Sequence, residues 1–267
     1  MDSLLSFLQK LLDDGLSYSS INAARSAVSL LTPVSHIGEH SLISRFMKGL
    51  YKIRPSKAKY NTTWDPSVVL DYLATLEPLI SLSLKDLTLK TVTLLSMCTA
   101  HRVQTLAAIE RSDIHVGQSG IEIFISAQIK TSKHGRKQPT LVLPFFDANP
   151  SLCAARCVLF YAEKTKSLEN DDKLFRSLTK ESKSVTSQTI SRWIKHALKN
   201  AGINTNVFGA HSVRHAATSH ALKQGVSIDT IRERAGWSEN SSVFARFYNR
   251  PIDRRNDFVM SILSPSN

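Results

Sequence analysis

Four side chains in the C-terminal part of the chain could together hold and attack a phosphodiester. His211 and Arg214 lie three residues apart, Trp237 follows an Ala-Gly pair, and Tyr248 lies between two arginines. An arginine can grip two phosphate oxygens at once, and a tyrosine hydroxyl can act as a nucleophile. A histidine titrates near neutral pH and can take the proton of that hydroxyl, while an indole has one N–H donor for a phosphate oxygen.

Cleavage of a DNA strand in this way needs two further parts. Negative charge grows on the phosphate in the transition state, so a second fixed cation is needed beside Arg214. Arg102, which directly follows an apolar helical stretch, can supply it. The leaving 5′-oxygen needs a general acid, and the basic turn that contains Lys130, Lys133, Arg136 and Lys137 could supply a lysine.

Each of these residues alone has an ordinary explanation. A tyrosine between arginines is usually a surface residue, a lone tryptophan is usually part of a core, and a histidine three residues before an arginine is common by chance. The basic turn alone is more often a solubilising hairpin tip. Their order along the chain, with a β-hairpin between Arg102 and His211, favours a single site.

The charge of the chain indicates a polyanionic partner. The 267 residues include 34 Lys and Arg against 22 Asp and Glu, which gives a formal net charge of +12. Such an excess is typical of nucleic-acid-binding domains, although a basic protein without such a partner remains the alternative.

Other classes of protein are disfavoured. Three cysteines, an odd and sparse set, predict no disulfide framework and fit a reducing compartment. The chain lacks a carboxylate cluster and lacks Cys/His spacing for zinc, so we expect no metal and no other cofactor. No apolar run is long enough for a membrane span and no signal peptide opens the chain, which predicts a soluble, intracellular protein.

Apolar periodicity predicts a mainly α-helical protein with a small antiparallel β-sheet. Alternating residues predict a hairpin of strands 120–129 and 139–145 around the basic turn. Helices are predicted at 3–16, 19–32, 41–51, from 65, at 84–99, 150–165 and 187–201. The basic residues 52–65 lack this periodicity and predict a linker, either a solvated tether or a segment that touches phosphates.

Several segments resemble the tyrosine recombinases of the phage integrase superfamily, and most closely those of DIRS-type eukaryotic retroelements. The segments are YSSINAARSAVS, RFMKGLYKIRP, WDPSVVLDYL, LSLKDLTLKTV and AGWSENSSVFARFYNRP, so the resemblance spans nearly the whole chain. It implies a partial helical, SAM-like DNA-binding domain at 1–58, a linker at 59–65 and a tyrosine recombinase catalytic domain at 66–267.

The resemblance also assigns the catalytic positions. Lys130 matches the hairpin lysine with Lys133 as runner-up, and His215 matches a frequent feature of the family that we interpret as structural. The six implied catalytic residues are Arg102, Lys130, His211, Arg214, Trp237 and Tyr248.

The activity implied is that of a recombinase or integrase that cleaves and rejoins duplex DNA through a 3′-phosphotyrosine, as type IB topoisomerases do. It would integrate a mobile element in the nucleus, act as four protomers on two DNA sites, and need neither metal nor nucleotide. Residues 258–263 are the segment predicted to dock on a neighbouring protomer.

Three departures from the family pattern favour the alternative of an inactive or truncated DNA-binding remnant. Thr105 stands where the family often has an acid, and the interval from Trp237 to Tyr248 is longer than usual. The N-terminal helical region is also short.

Overall fold

The computed structural model divides the chain into two compact units, Met1–Lys59 and Tyr60–Asn267. The predicted linker at 59–65 thus falls almost wholly in the second unit, and the predicted domain bounds stay a prediction. The structure describes residues 1–32, 37–55, 59–132, 134–135, 137–168, 171–179, 182–237 and 248–252.

The first unit contains the three helices that the apolar periodicity predicts. They are α1 (Asp2–Asp13), α2 (Tyr18–Leu31) and α3 (Ser41–Ile53). One apolar face of each helix turns inward, so that Leu8, Ile21 and Ile43 are fully buried together. Ser17 begins α2 because its hydroxyl accepts the N–H of Ser20.

The second unit is mostly helical with one three-stranded sheet, which confirms the predicted fold class. Its strands are β1 (Ile114–Val116), β2 (Gly120–Phe124) and β3 (Thr140–Pro144). Its helices are α4 (Pro66–Thr75), α5 (Leu84–Thr99), α6 (Val103–Ala108), α7 (Ala154–Lys164), α8 (Ser187–Asn200), α9 (Ser212–Lys223) and α10 (Ile228–Arg234).

Helix α5 forms the centre of the second unit. It packs against α7, α8 and α9, and 12 of its 16 residues are buried, as expected for a helix that is apolar on several sides. Lys90 is tolerated there because its ammonium donates to Glu77 at 2.6 Å and to the Leu76 carbonyl at 2.6 Å. The helix ends at Ala100, whose left-handed φ of 50° turns the chain into Arg102 at the start of α6.

The sheet is antiparallel in the order β1-β2-β3, with Ile123 opposite both Ile114 and Leu141. Gly120 permits the close approach of β2 and β3, because a Cβ there would lie 2.3 Å from the Leu143 carbonyl oxygen. The sheet packs beside α5 and α7.

The predicted strand 120–129 is wrong in its length, since β2 ends at Phe124. The N–H of Ile125 still reaches the carbonyl of Pro139 at 3.2 Å, but Pro139 has no N–H to return. Beyond that point backbone N–H groups donate to side chains instead. The N–H of Ile129, for example, donates to the Ser132 hydroxyl at 2.9 Å. Lys130 therefore lies in a loop and not on a strand.

Within the described part of the chain, no helix has the length and the apolar character that a membrane crossing requires.

Candidate active site

Helix α9 and the residue just before it carry two of the residues that could act on a phosphate. Val213 and Ala216 are fully buried in the core, which fixes the rotation of the helix. His211 lies just before its first residue, and Arg214 follows on the first turn, buried to 1% exposure. Spacing of three residues on a helix places both side chains on one face, as the sequence predicts.

Tyr248 lies against this face. Its hydroxyl is 2.9 Å from Nε2 of His211, and its ring is only 7% exposed. Its backbone is held as well, because the Ser219 hydroxyl on α9 donates to the Tyr248 carbonyl at 2.8 Å and accepts the Arg250 N–H at 2.9 Å. The phenol and the imidazole are thus at a distance that suits direct proton transfer.

Arg214 is a buried cation with unused donors. One terminal nitrogen donates to the Ala235 carbonyl at 3.3 Å, whereas Nε and Nη1 have no hydrogen-bond partner among the residues that the structure describes. Burial is the main cause that lowers the Arg214 pKa to about 10. Tyr248 opposes this shift through its charge and a side-chain hydrogen bond, while the charge of Arg102 adds to it. Burying a guanidinium whose N–H donors lack acceptors costs free energy unless an anion accepts those hydrogen bonds. This position therefore suits a phosphate.

Trp237 packs between these groups. The Arg214 guanidinium lies 4.8 Å from the centre of the indole ring, in cation–π contact, and the Tyr248 ring is 4.7 Å away. The sequence interval between Trp237 and Tyr248 is long, yet their rings meet edge to face. The longer interval therefore does not keep Tyr248 from the site.

Arg102 belongs to the same cluster. It begins α6 and is partly exposed, and its charge is among the causes that lower the pKa values of His211 and Arg214. Thr105, at the position where the family resemblance leads us to expect an acid, is buried and donates its backbone N–H to the Arg102 carbonyl at 2.8 Å. This bond fixes the backbone of Arg102 without engaging its guanidinium.

Lys130 is the predicted site residue whose side chain lies apart from the other predicted site residues. Its backbone N–H donates to Gln104 on α6 at 3.2 Å, which attaches the loop near Arg102. Its side chain is exposed, and no hydrogen bond or ion pair joins it to the other predicted site residues within the described ranges. Lys133 lies outside the described residues, so the choice between the two lysines stays open.

The histidines of the site are neutral at physiological pH. Burial, followed by the charges of Arg214 and Arg102, lowers the His211 pKa to about 4. Burial and then His211, Arg250 and Arg214 lower the His215 pKa to about 3. A neutral imidazole has a lone pair free to accept a proton, so His211 can serve as the base for Tyr248.

A further histidine, His101, is buried and joins the site although its residue type and spacing do not predict it. Burial and then the charge of Arg214 lower its pKa to about 4, while a hydrogen bond to the Arg234 backbone opposes this shift. Its ring also packs against Gly236. His101 therefore ties the backbone next to Arg102 to the turn that presents Trp237. Its position directly before Arg102 is the only signal in the sequence.

We expect these depressed pKa values to make the protein less stable as the pH falls. Between about pH 6.5 and pH 4 the unfolded chain protonates His101, whereas the folded chain does not, so stability is lost as pH falls through this window. The expected slope is about 1.4 kcal/mol per pH unit for each such histidine. Urea unfolding at several pH values measures it, and His101→Gln should reduce the slope. An unchanged slope in that variant would contradict the shift.

Gly236→Ala should disrupt the contact with His101. Gly236 has a φ of +68°, and a Cβ there would lie 2.9 Å from Cε1 of His101. Gly225→Ala is a matched control, because Gly225 has a φ of +86° but a Cβ there would meet nothing within 4 Å. A left-handed alanine costs about 1–2 kcal/mol in either variant, and only Gly236→Ala should lose further stability by displacing His101.

Urea unfolding of the two glycine variants compares these losses directly. The excess loss in Gly236→Ala should largely disappear when it is combined with His101→Ala, because the obstructing ring is gone. Equal losses of stability in the two single variants would show that the contact with His101 does not contribute to the free energy of unfolding.

Comparison with known proteins shows the family of the chain. Residues 66–254 match the phage integrase family. No curated protein matches the chain at significant sequence similarity. The similar solved structures include XerH site-specific recombinase bound to palindromic difH substrate in a post-cleavage complex, with a TM-score of 0.63, 16% identity, and coverage of 97% of this chain and 72% of that chain.

Two further structures share the fold. The Tn1549 transposon integrase in complex with circular intermediate DNA has a TM-score of 0.61 and 12% identity, covering 97% of this chain and 83% of that chain. A lambda integrase tetramer bound to a Holliday junction has a TM-score of 0.53 and 15% identity, covering 94% and 65%. Since the family match extends over more than half of the chain and the fold agrees with it, this protein belongs to the phage integrase family, the tyrosine recombinases.

Proposed function

We propose that the protein is a site-specific DNA recombinase that cleaves and rejoins duplex DNA through a covalent 3′-phosphotyrosine. The observation that carries this proposal is the Tyr248 hydroxyl at 2.9 Å from His211, beside the idle donors of Arg214. A nucleophile, its base and a phosphate-binding cation meet there without any rearrangement of the described residues.

Cleavage would proceed as one transesterification. Tyr248 Oη attacks the phosphorus while its proton passes to Nε2 of His211. Arg102 and Arg214 bind the non-bridging oxygens, whose charge grows in the transition state, and the Trp237 indole offers a further donor. The bond to the 5′-oxygen breaks, and Lys130 or Lys133 supplies the proton that this leaving oxygen needs.

Rejoining is the reverse of the same step. A free 5′-hydroxyl attacks the phosphotyrosine, its proton goes to the lysine, and Tyr248 leaves with the proton held by His211. One phosphodiester is exchanged for another, so the reaction needs no nucleotide as an energy source. The same chemistry would relax supercoiled DNA, as a type IB topoisomerase does.

The wider proposal concerns partners and setting. Strand exchange between two duplexes calls for four protomers, and the similar lambda integrase structure is a tetramer on a Holliday junction. Integration of a mobile element, in the nucleus, follows from the resemblance to DIRS-type recombinases and is in keeping with the similar Tn1549 transposon integrase. Residues 258–263 lie outside the described residues, so their docking on a neighbour stays a prediction.

Capture of a covalent adduct tests this function. The protein is incubated, with EDTA, with a pool of nicked suicide duplexes that have a randomised core, so that cleaved DNA cannot be religated. Denaturation should leave DNA attached to the protein through a 3′-phosphate, and sequencing it should reveal the target. If the pool and a supercoiled plasmid carrying the same randomised insert both yield no adduct, the proposed chemistry is wrong.

The alternative is a DNA-binding protein without cleavage activity, and the exposed, separate Lys130 side chain is the observation that favours it. Such a protein would bind duplex DNA through its positive charge alone. Its affinity should then fall steeply with salt, with a log–log slope of about −0.9 for each phosphate contacted, and no adduct should form.

A further inference from the structure

The segment Tyr60–Trp64, here called the strap, runs beside the chain that carries Tyr248. The backbone N–H of Thr63 donates to the Pro251 carbonyl at 2.8 Å, and Thr63 pairs with Ile252 in a parallel β-bridge. Thr63 is fully buried. The strap therefore holds the backbone three residues beyond the nucleophile, although the sequence indicates only a basic linker there.

Trp64 connects the strap to the other member of the proton-transfer pair. Its indole N–H donates to the Ser212 hydroxyl at 2.9 Å, and both side chains are buried. Ser212 is the first residue of α9 and follows His211 directly, and its hydroxyl donates in turn to the Gly209 carbonyl at 2.7 Å. The start of α9, and with it His211, is thus anchored to the strap.

Tyr60 adds a third contact, through aromatic packing. Its ring centre lies 5.4 Å from that of His215, whose ring in turn lies 4.3 Å from that of Tyr248. The Arg250 guanidinium lies 5.8 Å from the centre of the Tyr60 ring. The strap therefore reaches the side-chain stack of the site as well as its backbone.

We propose that the strap is a positioning device that keeps the Tyr248 hydroxyl at hydrogen-bonding distance from His211. Thr63 and Trp64 are positioning residues, since they touch the backbone or neighbours of the reacting groups and not the groups themselves. The inference rests on the proposed function. Such positioning matters because a displacement of about 1 Å in a reacting group can cost about 100-fold in rate.

Thr63→Pro is the first test, since it removes the backbone N–H that donates a hydrogen bond to the Pro251 carbonyl. Thr63→Val is its matched control, because it keeps that N–H, and within the described part of the chain the Thr63 hydroxyl has no hydrogen-bond partner to lose. Hydrogen exchange should speed up in a peptide covering residues 248–252 of the proline variant only. A peptide from α5 should exchange as in the wild type in both variants.

The same variants are then compared on the duplex selected by adduct capture. Thr63→Pro should slow adduct formation at saturating protein by about 10- to 100-fold with little change in DNA affinity, and Thr63→Val should match the wild type. A variant that merely unfolds would lose affinity as well. If Thr63→Pro fails to fold, Trp64→Phe and Ser212→Ala decide. Trp64→Phe removes the donor of their shared hydrogen bond, and Ser212→Ala removes its acceptor together with the bond to the Gly209 carbonyl. Adding Trp64→Phe to Ser212→Ala should therefore slow the rate little further.

The outcomes separate the two proposals. Unchanged exchange at 248–252 in the proline variant overturns the strap, whether or not the protein cleaves DNA. Faster exchange with an unchanged rate of adduct formation overturns its positioning role. A wild type that forms no adduct overturns the proposed function, and the positioning role for catalysis with it, while the exchange measurement still reports whether the strap holds the segment.

Discussion

Tyr248→Phe is expected to abolish the covalent protein–DNA adduct while leaving DNA affinity nearly unchanged. The substitution removes only the hydroxyl that lies 2.9 Å from His211. The ring keeps its contacts with Trp237 and with His215 at 4.3 Å, so the site should keep its shape. The stability lost with one hydrogen bond should be about 0.5–1.5 kcal/mol.

A matched control is available on α4. The Tyr72 hydroxyl accepts a hydrogen bond from Asn200 at 3.1 Å, and Tyr72→Phe removes an equivalent group from the second unit. This control should form adduct at the wild-type rate. Both variants are assayed by denaturing gel on the same nicked duplex, with DNA affinity measured in parallel. Adduct that persists in Tyr248→Phe would show that another residue is the nucleophile.

Arg214→Lys is expected to slow adduct formation by about 10²–10³-fold, the loss typical for one donor that stabilises a transition state. Lysine keeps the positive charge but lacks the planar fork that binds two oxygens, and its shorter reach cannot restore both idle donors. Arg214→Gln should be at least as severe because it also removes the charge. Arg192→Gln, at an exposed position on α8, controls for the loss of net charge.

The role of Arg214 can also be tested without DNA. If the unpaired N–H donors of Arg214 bind a phosphate oxygen, inorganic sulfate should bind there too. Sulfate should then raise the melting temperature of the wild type, because an anion that binds only the folded state stabilises it. The gain should shrink in Arg214→Gln and persist in Arg192→Gln. Equal sulfate responses in the two variants would show that the anion binds elsewhere.

Much of the site could be predicted because its chemistry restricts residue types. Few side chains can attack a phosphate, accept the proton and neutralise the oxygens, and His211, Arg214 and Tyr248 lie in one short region. Helical spacing alone predicts that the first two share one face. The roles of all six predicted site residues remain proposals, although the structure places Arg102 and Trp237 beside Arg214.

The supporting residues could not be predicted because they have no chemical signature. Ser219 lies on the same face of α9 as His211 and His215, which is only a weak signal of a role in the site. Its role depends on the hydrogen bond that its hydroxyl donates to the Tyr248 carbonyl. The sequence predicts too long a β2 because alternation continues through Ile129, whereas the missing N–H of Pro139 ends the ladder.

The amino-acid sequence by itself thus determined the family and the fold class and led to the proposed reactive groups, since these depend on residue type and local spacing. Only the tertiary structure decided how those groups are held. Burial lowers the pKa of His101, and long-range hydrogen bonds form a strap at Thr63 and Trp64, where the sequence predicts a basic linker. Such effects depend on which distant segments share a low-dielectric interior, and local sequence does not specify that.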